Sequence, residues 1–186
     1  MADRMAVELE EKGANGQTRE EALVDLRSTL DWLGDDVQYI DAEVDPHVEM
    51  CTITKAFDNS KVIVANNIKG YPNTRMISNL YSRKERVCRF HGCEDFRDIK
   101  HQLLRQVNNP IPPRIVDDAP VHEETLIPGK DFNNIEEIIP VAQHTFRDGG
   151  RIFGAGSHLF MGEPWVPGGG SQISMYRMSF REGQKY

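Results

Sequence analysis

Apolar residues recur at helical spacing in the first part of the chain and in short runs in the second. Thr18-Arg-Glu-Glu21 has the spacing of a capping box, in which the hydroxyl accepts a backbone N–H and the glutamate reaches back. Leu23, Leu26, Leu30 and Leu33 follow on one helical face, and Gly34 suits the stop, so one helix is expected from Thr18 to Gly34. Val37 to Val44 reads as a strand ended by Asp45-Pro46, and Lys61 to Ala65 as a buried strand. Gly70 to Asn73 is a turn, and Arg75 to Tyr81 can form a third strand. Ser82-Arg-Lys-Glu85 repeats the capping-box spacing and predicts a helix through Phe90. Asp95 can cap a further helix with Phe96, Ile99, Leu103 and Val107 on one side. Up to residue 107 the pattern is mixed α/β.

The texture then changes. Three prolines between Pro110 and Pro113 exclude a helix. Nine of the fifteen glycines fall from Gly149 onward, and helical patterning fades there. Short apolar stretches replace it at Ile135 to Val141, Arg151 to Phe153, His158 to Met161 and Ile173 to Phe180. Those are the marks of a β domain with tight turns. The expected organisation is a mobile leader over residues 1–17, an α/β domain over 18–115 and the start of a β domain over 116–186. The fold class is therefore α+β.

Composition adds two limits. A chain of 186 residues makes one domain and part of a second. It has no apolar run of about 18 residues and no apolar N-terminal signal, which points to a cytoplasmic protein without a membrane span. Three cysteines, Cys51, Cys88 and Cys93, without a CxxC pair read as reduced thiols. The net charge of −7 hides an asymmetry. The balance is −10 over residues 1–50, +7 over 51–115 and −4 over 116–186. No nucleic-acid motif accompanies the basic middle, which reads as solvated helices rather than a nucleic-acid face.

Candidate chemistry is sparse. Cys88, His91 and Cys93 lack the spacing and fourth ligand of a zinc site, and read as a helix end with Cys88 buried and His91 at the surface. The glycines of Asp148 to Gly156 match no phosphate-loop pattern; they suit close approach to a ligand or a neighbouring strand. His144 and His158 flank that segment as possible bases or ligands. Gly168 to Phe180 is the most informative stretch. Strand alternation sets Gln172, Ser174, Tyr176 and Met178 on one face and Ile173, Met175 and Arg177 on the other. An arginine aligned with Ile and Met is either buried and paired with an anion or an edge residue that reaches solvent.

Gln172-Ile-Ser-Met-Tyr-Arg177 resembles the N-x-S-x-Y-R type segment of UbiD-type decarboxylases. Other pieces follow in that family's order. Asp25 to Leu33 resembles its opening helix, and Glu43-Val-Asp-Pro46 a strand exit. Asn67-Ile-Lys-Gly70 and Ser78 to Arg86 resemble the next strands and helix. Asn109 to Pro113 and Asp117 to Pro120 resemble the crossover to the cofactor domain. Ile139 to His144 with Asp148-Gly-Gly150 resembles the entry to the active site.

The resemblance implies reversible, non-oxidative decarboxylation of aromatic or α,β-unsaturated acids with release of CO2. It implies prenylated FMN with Mn²⁺ and often K⁺, and a split β-barrel begun by residues 116–186. Arg177 matches the arginine that meets the substrate carboxylate, and Ser174, Met175 and Tyr176 match positions lining the flavin or its phosphate. Gln172 falls where the family has an asparagine metal ligand; glutamine keeps the amide oxygen and adds a methylene. The remaining metal ligands, the catalytic glutamates and the oligomerisation domain of such enzymes have no counterpart here, Glu163 and Glu182 lying in other contexts. A partner subunit or C-terminal portion is therefore expected to supply them, in an oligomer. The alternative is a non-catalytic UbiD-like assembly subunit of a larger carboxylase complex.

Overall fold

The computed structural model describes residues 12–109, 116–160 and 172–180, the side chains of 121, 155–160, 172 and 173 aside. The expected leader over 1–11, the proline run at 110–113, the triple glycine at 168–170 and Glu163 and Glu182 lie outside the described residues.

The fold is mixed α/β. Helices α1 (Arg19–Ala22), α2 (Leu26–Leu33), α3 (Glu49–Ala56), α4 (Lys84–His91) and α5 (Phe96–Asn108) accompany strands β1 (Val37–Val44), β2 (Val62–Ile68), β3 (Met76–Ser78), β4 (Arg151–Phe160) and β5 (Gln172–Phe180). The first three strands form one sheet in the order β1-β2-β3, and the last two form an antiparallel ribbon. β2 and β3 pair antiparallel, with Val64 opposite Ile77.

The chain makes two compact units, and it passes between them five times. The first unit takes residues 1–41, 56–65 and 76–124, the second 42–55, 66–75 and 125–186. β1 and β2 each begin in the first and end in the second. The last crossing, at 124/125, lies nearest the single boundary that composition suggests.

In the first unit Ala22, Leu30, Trp32, Leu33, Val37, Val62 and Val64 form the core, with Ile77, Leu80 and Phe90 packed against it. The run Val62 to Ala65 is wholly buried, which explains its lack of alternation. The capping box forms: Glu21 N–H donates to Thr18 Oγ1 at 3.3 Å, and Thr18 N–H to Glu21 Oε2 at 2.9 Å. The expected single helix is two. Asp25 adopts an extended backbone and caps a fresh start, accepting Ser28 N–H at 2.8 Å. Leu23 and Leu26 flank this break and stay exposed.

Three further expectations shift. Ser82 does not cap α4; its hydroxyl donates to Asn79 C=O at 3.0 Å, closing a turn around left-handed Asn79. Ile135 to Glu137 is a 3-10 turn rather than a strand, capped by Asn134. Helix α3 was hidden by its short, weakly periodic sequence. Residues 12–17, which the pattern assigns to the leader, are packed. Ala14 N–H donates to Trp32 C=O at 3.1 Å, and Gly13 lies so close to the Trp32 indole that a Cβ there would stand 1.9 Å from Cδ1. Arg89 stacks over the same indole at 4.4 Å, and the buried Trp32 Nε1 finds no hydrogen-bond partner among the described residues.

Cys88 is buried at the end of α4, as expected, whereas His91 is half-buried rather than at the surface. Gly92 takes the left-handed conformation, Gly92 N–H reaches Arg89 C=O at 3.2 Å and Cys93 N–H reaches Cys88 C=O at 3.1 Å. That is a Schellman stop, and it brings Cys88, which is buried, against Cys93. Burial, then contact with Cys88, pushes the Cys93 thiol up to about 11. All three cysteines are free thiols.

Candidate functional site

The second unit contains both places where chemistry-bearing residues gather. Among its described residues Val44, Met50, Ile68, Phe132 and Val141 are buried. Lys69 N–H donates to Val44 C=O at 3.0 Å, so the C-terminal ends of β1 and β2 lie side by side. Loops that leave adjacent strand ends together form a cleft.

That cleft has a volume of about 440 Å³ and is lined by Asp45, Pro46, His47, Lys69, Gly70, Tyr71, Glu136, Glu137 and Arg151. Its charges are largely paired. Lys69 Nζ donates to Asp45 Oδ2 at 2.8 Å, and His47 N–H donates to Asp45 Oδ1 at 2.8 Å. Tyr71 Oη–H donates to Glu136 C=O at 2.5 Å, while Arg151 Nε lies 3.4 Å from Glu136 Oε1. His47 Nδ1 lies 3.3 Å from Gln143 Oε1, and the two residues form a parallel bridge.

Between His47 and Glu49 the backbone is strained. Val48 has φ 66°, unusual for a β-branched residue, and is held there by Val48 N–H to Gln143 C=O at 2.9 Å. Val48→Asn, a residue that tolerates this conformation, is expected to leave the fold intact and to stabilise it by up to about 1 kcal/mol in urea denaturation.

The Lys69 ammonium beside Asp45, with the His47 N–H, holds the Asp45 carboxyl below its ordinary 3.8. A depressed carboxyl contributes stability above its unfolded-state pKa and loses it as pH falls through the folded-state value. The Asp45 carboxyl resonance is therefore expected to titrate below pH 3.8, and to move back up in Lys69→Met. A Lys69→Met profile identical to the parent's would refute the assignment.

The second place is the β4–β5 ribbon. Arg151 faces Phe180, Phe153 faces Met178 and Gly156 faces Tyr176. Two residues, Gly154 and Ala155, therefore oppose one, Arg177. This is a β-bulge, and bulges re-aim the side chain beside them. A Cβ on Gly154 would meet nothing within 4 Å, so this glycine leaves open space near the bulge.

The expected site residues lie on β5. Ser174 is half-buried, and Met175, Tyr176 and Arg177 are exposed, so in this chain Arg177 takes the exposed of its two readings. Alternation places Met175 with Arg177 and Ser174 with Tyr176, on opposite faces of the ribbon. The side chains of Gln172 and His158 lie outside the described ones. His144 is exposed, and its N–H donates to Asp148 Oδ2 at 3.1 Å, together with Thr145 N–H at 2.8 Å. The cleft residues carried no role in the sequence reading. Their signal was positional: Asp45-Pro46 and Lys69-Gly70 each follow a strand.

Residues 34–113 match the family described as 3-octaprenyl-4-hydroxybenzoate carboxy-lyase N-terminal domain. They are a UbiD N-terminal domain. The gallate decarboxylase of Lactiplantibacillus plantarum is 29% identical over 142 residues, covering 68% of this chain and 29% of that relative. The apo 3,4-dihydroxybenzoic acid decarboxylase of Klebsiella pneumoniae superposes over 78% of this chain and 32% of its own, with a TM-score of 0.69 and 21% identity. The UbiD-class enzyme HmfF of Pelotomaculum thermopropionicum, solved in complex with prenylated FMN, covers 76% of this chain and 32% of its own at a TM-score of 0.66 and 24% identity. The chain thus spans about a third of the UbiD-type proteins it matches. The likeness in structure covers more of the chain than the matched domain does. Among the described residues no helix is long and apolar enough to cross a membrane.

Proposed function

We propose that this chain is the N-terminal part of a prenylated-FMN-dependent, reversible, non-oxidative decarboxylase of aromatic or α,β-unsaturated carboxylic acids, working in the cytoplasm. The observation that carries the reading is the β5 strand. It holds an exposed guanidinium at Arg177, opposite a bulge, in a chain whose fold is similar to that of UbiD-type enzymes. A carboxylate or phosphate is the planar, multiply accepting partner that a guanidinium takes best.

The ribbon fits a flavin. Met175, Tyr176 and Met178 expose apolar and aromatic surface, Arg177 exposes positive charge, and Gly154 leaves space. Of the four residues Ser174, Met175, Tyr176 and Arg177, the pair Met175 and Arg177 would hold the group by side chains that share one face, Ser174 and Tyr176 lying on the other. When bound, the group supplies an electron sink for the charge left as CO2 departs. The chain's own part is to bind and orient: Arg177 meets an anion, and the apolar neighbours exclude water from it.

Mn²⁺ and K⁺ fit less well. Among the described residues no three His, Cys, Asp or Glu side chains come together as metal ligands. Gln172 alone does not make a site, and no step is assigned to a metal here. The carboxylates that move protons would come from a C-terminal portion or partner subunit, in an oligomer whose barrel begins with residues 116–186.

The test is co-expression with the remaining two-thirds of a UbiD-type enzyme in cells that make prenylated FMN. The expected product is a yellow complex that releases labelled CO2 from carboxyl-labelled gallate or 3,4-dihydroxybenzoate. A colourless complex that leaves both acids intact defeats the proposal.

A further inference from the structure

We infer that Tyr71, Glu136 and Arg151 form a clasp that positions the strand carrying Arg177. The inference rests on the anion-binding role proposed above, and it names positioning residues for that site. Three segments distant in sequence meet at one point. Tyr71 follows β2, Glu136 lies in the 3-10 turn, and Arg151 opens β4. The Tyr71 hydroxyl donates to Glu136 C=O at 2.5 Å, and Arg151 reaches both partners, Nε to Glu136 Oε1 at 3.4 Å and Nη1 to Tyr71 Oη at 3.5 Å. The short tyrosine bond is the strong contact, and the two longer arginine contacts orient the guanidinium between them. The next residue is also tied down, with Ile152 N–H donating to Ala142 C=O at 3.0 Å.

The clasp matters because of what a ribbon is. Two paired strands are marginal by themselves in water, so their geometry depends on where they are rooted. Side chains alternate along a strand, and a slip of one residue carries every one to the other face. The root pair is Arg151 with Phe180, and Arg177 lies three residues from it, just where the bulge adds its extra residue. Fixing Arg151 therefore fixes the register from which the bulge, and with it Arg177, is counted. The cleft's cations are directed at Glu136, Tyr71 and Asp45.

Amide hydrogen exchange on the full 186-residue chain tests this without any cofactor. In Tyr71→Phe and in Arg151→Gln, amides of residues 151–160 and 172–180 are expected to exchange at least tenfold faster, with residues 62–65 unchanged. Arg151→Lys, which keeps the charge beside Glu136, should recover part of the protection. Should Arg151→Gln fail to fold, Glu136→Gln removes the carboxylate while keeping the carbonyl that Tyr71 uses. In the assembled enzyme Arg151→Gln should raise KM for gallate at least tenfold with kcat within threefold, because a carboxylate held less well is lost from uniform binding. Ribbon exchange that stays as in the parent, or that rises equally in residues 62–65, overturns the clasp. An assembled complex without activity instead defeats the decarboxylase reading, and exchange still decides the clasp.

Discussion

Arg177→Ala in the assembled enzyme is expected to lower kcat/KM for gallate at least a hundredfold, while the isolated chain keeps its stability within about 0.5 kcal/mol. The two halves of this expectation come from one observation. Arg177 is exposed on β5, and exposed positions away from caps and cores tolerate truncation. Its proposed role begins only when a carboxylate is enclosed beside it in a site that excludes water. Truncating one partner of an enclosed, hydrogen-bonded charge pair costs about 2–5 kcal/mol, and as lost substrate binding it should appear chiefly in KM. Arg177→Lys should recover only part, because an ammonium cannot offer two parallel donors to a carboxylate. Steady-state decarboxylation and urea denaturation of the same variant give both numbers. Full activity of the alanine variant in a yellow, working complex would favour the assembly-subunit reading.

Arg86→Met is expected to destabilise the chain by about 3–5 kcal/mol, the cost of removing one partner of a buried ion pair. Arg86 is 1% exposed. Its guanidinium is spread over three segments of the chain: Nε donates to Asp36 Oδ2 at 2.7 Å, Nη1 to Asn79 C=O at 2.8 Å and Nη2 to Ser60 C=O at 2.5 Å. Methionine fills much of the volume but strands one carboxylate and two carbonyls. Arg83, 3.4 Å from Asp36, can compensate only for the carboxylate. Adding Asp36→Asn to Arg86→Met should therefore return part of the loss, and the carbonyl part should remain. A fall below about 1 kcal/mol in urea denaturation would mean that the network contributes little.

The two arginines show where the sequence was legible and where it was not. Arg177 stands out in the sequence as a charge aligned with Ile173 and Met175 on one strand face. Arg86 stands in Arg-Lys-Glu-Arg, which looks like a solvated helix face. The structure buries Arg86 and leaves Arg177 exposed. Local pattern could not have told this. Burial of Arg86 is decided by Asp36, Ser60 and Asn79, which lie 50, 26 and 7 residues away.

Capping chemistry shows the same division. Thr18 with Glu21 and Asp95 with the Arg97 N–H, at 2.8 Å, are local arrangements, and both form. Ser82 has the same spacing as Thr18, yet its hydroxyl is taken by Asn79 in a tertiary turn. Local competition of that kind is common for serine, whose hydroxyl bonds whichever backbone group comes nearest.

By itself the sequence determined the elements whose signals are short in range: the buried run of β2, the Gly92 stop, the Asp95 cap, the α/β texture and the strand bearing Arg177. Each depends on residues within about one turn or a few strand positions of one another. Tertiary structure alone decided which arginine is buried, the crossing of β1 and β2 between two units, the bulge opposite Arg177 and the meeting of Tyr71, Glu136 and Arg151. Those depend on hydrogen bonds between residues up to 80 apart, where no periodicity in the chain records which segment will arrive to complete them.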